Sequence, residues 1–512
     1  RTFTPISDVL NGQPQRNLTY SARGNYGYKD RYFIEGSFGY NGSERFAKAK
    51  RFGFFPAVGG AWVASNEPWM KKLDKYISYL KFRLSWGKVG NDALSTSLIG
   101  IVETPRFVFL PQIGKTAAGT GEQDPTANAG AQFARKQIVA YANPNILWEI
   151  AEQKNLGIEA KLFGGLIEAQ ADIYQEIRHN IISTRTTIPA NMGIEVDPLA
   201  NIGKTDSRGV DLSLKVQKAF SNDCWMILNG TLTYNKTKYK EVEEATNKPA
   251  WQRKVGHEIS QPIGYIAEGL FRDQAEIDNS PRQDGDVMPG DIKYRDINHD
   301  GVIDVNDATY IGYPETPRLI DINNDGVIDV NDATYIGYPE TPRLIYGFTG
   351  FVNYKGWELN FAFQGSGQRS FFINPIKVSP FYGDHAMLKA IYDSHWSEDN
   401  QDTHAFWPRL STSSIAQHNP QEDWYSSSNA EIRKSTYFMR NCSFLRCTNI
   451  EVAYNLPKKF VSTLGLKLFK LSFKVNNAFC LTNFKLWDVE LGESGFNYPI
   501  QRTYSAAINI SF

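Results

Sequence analysis

No run of about 18 apolar residues occurs in this 512-residue chain, so it has no helical membrane span. Its four cysteines, Cys224, Cys442, Cys447 and Cys480, show no metal-binding spacing. Cys442 and Cys447 lie five apart and on one strand would face opposite sides, so all four read as isolated structural thiols. Neither sign of charge is in excess: Lys and Arg total 55, Asp and Glu 55, which gives no electrostatic case for nucleic acid. No G-x-S-x-G elbow, HExxH, P-loop or Rossmann fingerprint occurs, and no enzyme is expected. Ser/Gly linkers, low-complexity tracts and charge blocks are also lacking, so nothing marks a domain boundary.

Aromatic residues are plentiful, with 11 Trp, 26 Tyr and 31 Phe, although the mean hydropathy is negative. Alternating strands combine these two properties, because one apolar face and one polar face average to polar. In Trp357–Gln364 one face carries Trp357, Leu359, Phe361 and Phe363, the other Glu358, Asn360, Ala362 and Gln364. The stretches 17–26, 167–174, 469–476 and 503–512 alternate in the same way, and about fourteen such segments approach the length of a tilted bilayer-crossing strand. Tight turns at Tyr28–Arg31, Phe163–Leu166 and Tyr354–Trp357 alternate with long connections near 92–136, 178–206, 236–260, 271–345, 365–435 and 482–501. Short turns on one rim and long loops on the other predict an all-β, antiparallel transmembrane β-barrel with periplasmic turns and extracellular loops. Phe512 then closes the last strand on the periplasmic side.

The loop 271–345 contains a tandem repeat: Asp296–Ile320 reads DINHDGVIDVNDATYIGYPETPRLI, and Asp321–Ile345 repeats it with Asn324 for His299. Each copy opens with D-x-N-x-D-G-x-I-D-x-x-D, an EF-hand-type calcium loop. The ligand positions are Asp296, Asn298, Asp300, Val302 through its carbonyl, Asp304 and Asp307, then Asp321, Asn323, Asp325, Val327, Asp329 and Asp332. Carboxylates crowded like Asp296, Asp300 and Asp304 repel one another unless a cation sits between them, so calcium is expected in at least one copy. A bare Asp/Asn/Gly turn is the other reading. The last ligand is Asp where Glu is usual, which shortens its reach and predicts weak affinity, about 10⁻⁴–10⁻³ M. Dockerin-type modules also pair two such loops, but each is followed by a helix, which the two prolines of YIGYPETPRLI forbid. The near-identity of the copies fits a recent duplication or a fault in assembling the sequence.

Several long motifs, in order, resemble the SusC/RagA-type TonB-dependent transporters of the Bacteroidetes outer membrane. They are RFGFFPAVGGAWVASNEPW (51–69), LKFRLSWGKVGN (80–91), NPNILWEIAEQKNLG (143–157), NIGKTDSRGVDL (201–212), and the stretch 289–348, in which the calcium-like segment is doubled. The stretches 443–457 and 502–512 resemble strands near the family's C-terminus. Ahead of these motifs the family carries a signal peptide, a TonB box, a plug domain and the first barrel strands, none of which is in this sequence. The chain is therefore expected to be the C-terminal portion of a barrel of about 22 strands, located in the outer membrane and bounded by its lipid. The resemblance implies active import of a bulky nutrient, an oligosaccharide or a peptide. TonB would act through the missing N-terminal region, and a SusD-like surface lipoprotein would be the partner. The alternative is a passive porin or a structural or adhesive surface protein.

The loop 365–435 carries Phe381, Tyr382, Trp396, Trp407, Trp424 and Tyr425. Flat aromatic faces beside Asp, Asn and Gln suit the C–H patches and hydroxyls of sugar rings. The same aromatics would equally pack the loop over the barrel.

Overall fold

The computed structural model describes residues 16–93, 107, 109–115, 136–194, 196–283, 287–311, 337–380, 386–410, 434–463, 465–493, 495 and 497–512. Thirteen strands form one antiparallel sheet whose spatial order is the order of the chain. They are β1 (Asn17–Tyr28), β2 (Tyr32–Ser43), β3 (Phe52–Val63), β4 (Ile77–Asn91), β5 (Glu149–Leu162), β6 (Ile167–Thr184), β7 (Leu199–Ser221), β8 (Cys224–Glu241), β9 (Leu344–Tyr354), β10 (Trp357–Gly367), β11 (Phe444–Asn455), β12 (Leu468–Thr482) and β13 (Thr503–Ser511). Among the described residues, β1 pairs only with β2 and β13 only with β12.

The register turns the alternation of single strands into two faces. One transverse row runs Tyr26, Ile34, Gly60, Leu84, Leu156, Ile173, Val210, Tyr234 and Leu344, each the direct partner of the next. The adjacent row runs Asn25, Glu35, Gly59, Ser85, Asn155, Tyr174, Gly209 and Asn235. A slip of one residue would exchange the two faces, so the apolar row pins the register. The apolar row is uncovered: Ile34 is 58 %, Leu84 64 %, Leu156 49 % and Ile173 59 % exposed. An apolar face this extensive needs an apolar solvent. Trp357, Leu359, Phe361 and Phe363 continue it through the pairs Leu359–Val352, Leu359–Val452 and Val452–Phe473, while Glu358 lies on the other face.

The tight turns take left-handed backbone. Lys29 and Asp30 (φ 51° and 53°) turn β1 into β2 within the three residues 29–31, and Lys355 with Gly356 (49° and 87°) turns β9 into β10 with the positive φ that a two-residue hairpin requires. All connections on this rim are short, the longest being 64–76 and 456–467.

Connections on the opposite rim are longer, apart from the eight residues 44–51 between β2 and β3, and their strands reach further than the sequence suggested. β6 extends to Thr184 and β7 starts at Leu199, leaving 185–198 as the loop where 178–206 was expected. Residues 242–343 form a single connection. The segment left between the expected loops 236–260 and 271–345 pairs locally, Ile263–Tyr265 with Thr309–Tyr310 and Ala267–Leu270 with Ile292–Tyr294, and among the described residues the sheet has thirteen strands, close to the number expected.

Most of the buried hydrophobic side chains lie in these connections. Leu270, Ile292, Tyr294, Ile303, Ile311, Phe371, Phe372, Ile373, Ile391, Trp396, Trp407, Phe438, Met439, Phe484 and Val489 form one cluster, drawn from the β8–β9, β10–β11 and β12–β13 connections. The long rim thus carries a folded cap with its own core. A separate, smaller cluster of Phe46, Phe55, Ile146, Trp148, Ile182 and Leu199 is drawn from the chain's first half.

Candidate functional site

The polar face is a charged network fixed by register. Arg83 on β4 reaches Glu159 on β5 at 2.7 Å and Asp172 on β6 at 3.0 Å, while the Gln170 amide donates to Asp172 at 2.8 Å. Asp172 and Asp211 are direct cross-strand partners, an arrangement that costs stability unless each carboxylate is satisfied. Arg83 satisfies the first, and the Thr233 hydroxyl donates to the second at 2.7 Å. Gly157 leaves room for this bridge, since a Cβ there would stand 2.5 Å from Asp172 Oδ1 and 2.9 Å from Arg83 Nη2. Further round, Lys470 and Asn455 both donate to Glu358, at 2.5 and 2.6 Å. A surface of this kind can hold water and polar solutes.

Buried ion pairs hold the cap together and, through Lys236 and Arg446, tie it to the strands. Arg409 meets Asp291 at 2.7 Å, and Arg343 meets Glu258 at 2.6 Å, with Lys236 also 3.2 Å from Glu258. Arg446 on β11 receives Asp488 and Glu490 from the β12–β13 connection. Sequence reasoning missed these pairs because their partners lie 22 to 118 residues apart. The four cysteines are free thiols, and burial pushes Cys442 up to about 11, which makes it inert.

The first repeat builds a tight oxygen-lined loop. His299 and Gly301 donate their amides to the Asp296 carboxylate at 2.7 and 2.9 Å, Asp300 to Asn298 Oδ1 at 3.0 Å, and Val302 to Asp300 Oδ1 at 2.9 Å. Gly301 turns the chain at φ 83°. Asp307 is fully buried, and the amides of Ile297 and Asp304 donate to its carboxylate at 2.8 and 2.9 Å. Burial, and then the charge of Asp296, raise its carboxyl above the ordinary range. The donor set, carboxylates with an amide and a carbonyl, is the chemistry a hard cation takes. Among the described residues, however, no three acidic, His or Cys side chains converge as a metal would require. The side chains instead close the loop by bonding its own amides.

The described residues of the loop come from both copies. Residues 296–311 come from the first, 337–345 from the second, and read together they make one complete repeat, DINHDGVIDVNDATYI followed by GYPETPRLI. Ile311, fully buried, donates its amide to the Pro262 carbonyl at 2.8 Å, and Glu340 donates to Ser260 at 3.1 Å. The second ligand set, Asp321 to Asp332, lies outside the described residues.

Of the six aromatics with a possible ligand role, Phe381, Tyr382, Trp424 and Tyr425 also lie outside the described residues. Trp396 and Trp407 are each only 6 % exposed and belong to the cap core. Trp407 packs edge-on against Phe438 at 5.3 Å, and Gly290 abuts the Trp396 ring so closely that a Cβ would stand 2.4 Å away. Both rings are packed against protein within the cap core.

Residues 2–477 match the family described as TonB dependent receptor-like, beta-barrel. The chain is 24 % identical over 544 residues to TonB-dependent receptor P26 of Formosa agariphila, covering 99 % of this chain and 48 % of that protein. It is 22 % identical to TonB-dependent receptor SusC of Bacteroides thetaiotaomicron, covering 97 % and 44 % respectively. Among solved structures, the RagAB peptide importer in its closed-closed state superposes with a TM-score of 0.67 at 20 % identity, over 97 % of this chain and 48 % of that one. The chain spans about half the length of the curated relatives it matches. The fold and these matches agree: the chain belongs to the TonB-dependent receptor β-barrel family.

Proposed function

We propose that the chain supplies the C-terminal barrel portion of an outer-membrane receptor that imports a bulky nutrient, an oligosaccharide or a peptide, with energy delivered through TonB. One observation carries the reading: an exposed apolar row and a charged row alternate residue by residue across the sheet, and one rim alone bears a folded cap. An apolar outside, a polar inside and an elaborated outer rim are what a receptor barrel needs. The two edges left unpaired among the described residues need strand partners inside a bilayer, where backbone groups must be satisfied. The likeness to a protein described as a peptide importer supports the peptide half of the substrate class. A SusD-like lipoprotein seated on the cap belongs to the same reading. So does a calcium ion held by Asp296, Asn298, Asp300, the Val302 carbonyl, Asp304 and Asp307, which would neutralise the loop's carboxylates and cross-link it.

Uptake of labelled oligosaccharide and peptide pools by cells with and without the gene tests the reading. Uptake should vanish both with the gene and with TonB. Uptake that survives loss of TonB would make the barrel a passive pore.

A further inference from the structure

We infer that the turn 64–76, on the short-turn rim, is a docking site for the head group of an anionic phospholipid; the inference rests on the outer-membrane reading above. The turn is rigidly placed. Glu67 is buried and accepts hydrogen bonds from Tyr32 Oη at 2.5 Å and Trp62 Nε1 at 3.3 Å, while Arg31 lies 3.3 Å away. Met70 is buried beneath the 3₁₀ segment Met70–Leu73, and Phe163 of the neighbouring turn donates its amide to the Tyr76 carbonyl at 2.8 Å.

This scaffold leaves apolar side chains outside. Trp69 is 59 %, Leu73 43 %, Tyr76 54 % and Phe163 53 % exposed. The patch continues the apolar sheet face: Trp69 lies 6.5 Å from Trp62, which stacks on Phe82 at 5.7 Å, and Tyr32, Trp62 and Phe82 are register partners within that face. Trp and Tyr at such a border sit at the level of lipid head groups. Lys71, Lys72 and Lys75 are exposed around the patch, and within 69–76 only Asp74 opposes them.

Charge complementarity selects the occupant. The six turns of this rim carry nine Lys or Arg against four Asp or Glu, in a chain whose totals are equal. Each lysine near a membrane surface contributes attraction for an anionic leaflet, and an apolar patch beside it anchors the contact. Bulky aromatics with several lysines in one short turn fit a lipid that offers both an acyl chain and a negative phosphate.

The complete receptor that carries this chain, reconstituted in nanodiscs of phosphatidylcholine with a minority of phosphatidylglycerol, tests this by quenching of Trp69 fluorescence. Either lipid carries bromine near the top of its acyl chains, in equal amount, and the Trp69 signal is the difference between the chain and its Trp69→Phe variant. Brominated phosphatidylglycerol should quench Trp69 at least about twofold more than brominated phosphatidylcholine. The preference should disappear in the triple variant Lys71→Gln, Lys72→Gln, Lys75→Gln. Equal quenching of Trp69 by the two lipids overturns the anionic site. Absence of Trp69 quenching, while other tryptophans are quenched, means that a protein and not lipid covers the patch. If no tryptophan is quenched by either lipid, the outer-membrane reading itself fails.

Discussion

Arg343 and Glu258 meet at 2.6 Å with side chains only 6 % and 4 % exposed, and they tie the end of the repeat to the connection leaving β8. Lys236 approaches the same carboxylate at 3.2 Å, so Glu258 serves two cations. Removing one member of a buried pair costs about 3–5 kcal/mol, because the other is left uncompensated. Glu258→Gln should therefore destabilise the cap more than Arg343→Met, which leaves Glu258 its contact with Lys236. Limited proteolysis of the cap in both variants gives the order, and the reverse order would refute the shared-carboxylate arrangement.

Deleting Asp321–Ile345 yields the same sequence as deleting 312–336, since the repeats are identical there, and it leaves one complete copy joined at both ends. The shortened protein should keep a folded barrel, with stability changed by less than about 1 kcal/mol, because closure entropy varies only logarithmically with loop length. Heat-modifiable migration on gels reports the folded barrel. In the same protein, calcium should slow digestion of the loop, and neutralising Asp296, Asp300 and Asp304 should abolish that effect. Equal digestion with calcium and with a chelator would leave only an Asp/Asn turn.

His257, in the connection after β8, stacks on Tyr310 with ring centroids 3.8 Å apart. Burial, and then the charge of Lys238, depress its imidazole to about 4 from an ordinary 6.5. The fold thus holds His257 neutral while the unfolded segment takes up a proton below about pH 6.5. Stability from this site is complete above that pH, falls as pH drops towards 4, and levels off below. Hydrogen exchange of residues 256–261, corrected for intrinsic rates, should accelerate across that window. His257→Phe should remove the acceleration, and a pH-independent rate in the parent would refute the assignment.

Membrane sidedness follows from the two rims. A cysteine at Lys355 should resist a membrane-impermeant reagent on intact cells and react after permeabilisation. One at Val302, 42 % exposed on the cap, should react from outside. Labelling of position 355 on intact cells would invert the topology.

Strand positions, facing and tight turns were legible because each depends on neighbours in sequence: the period of two in Trp357–Gln364, or Lys355 with Gly356 at a hairpin. The cap was not. Residues 263–270 lie between the two loops the sequence suggested, but their partners, Thr309 and Ile292, come from within the same connection. Likewise Trp396 and Trp407 read equally well as a ligand platform or as core, and only the packing of Phe438 and Gly290 decides. The Arg83, Arg343 and Arg446 networks depend on register and on loops returning over long separations, which local pattern does not encode.

The strand order of the sheet has a further consequence, for how such a wall is made. Every strand from β2 onward pairs with the one that precedes it, so each hairpin can be added to a finished edge without rearranging what is already paired. Because neighbours in the sheet are consecutive in the chain, the segment between two strands has only to return to the next free edge. That is why a connection of some hundred residues, 242–343, can grow between β8 and β9 while those strands remain direct neighbours from Cys224–Tyr354 to Tyr234–Leu344. Diversity can accumulate on one rim of this architecture with the growth path of the wall unchanged.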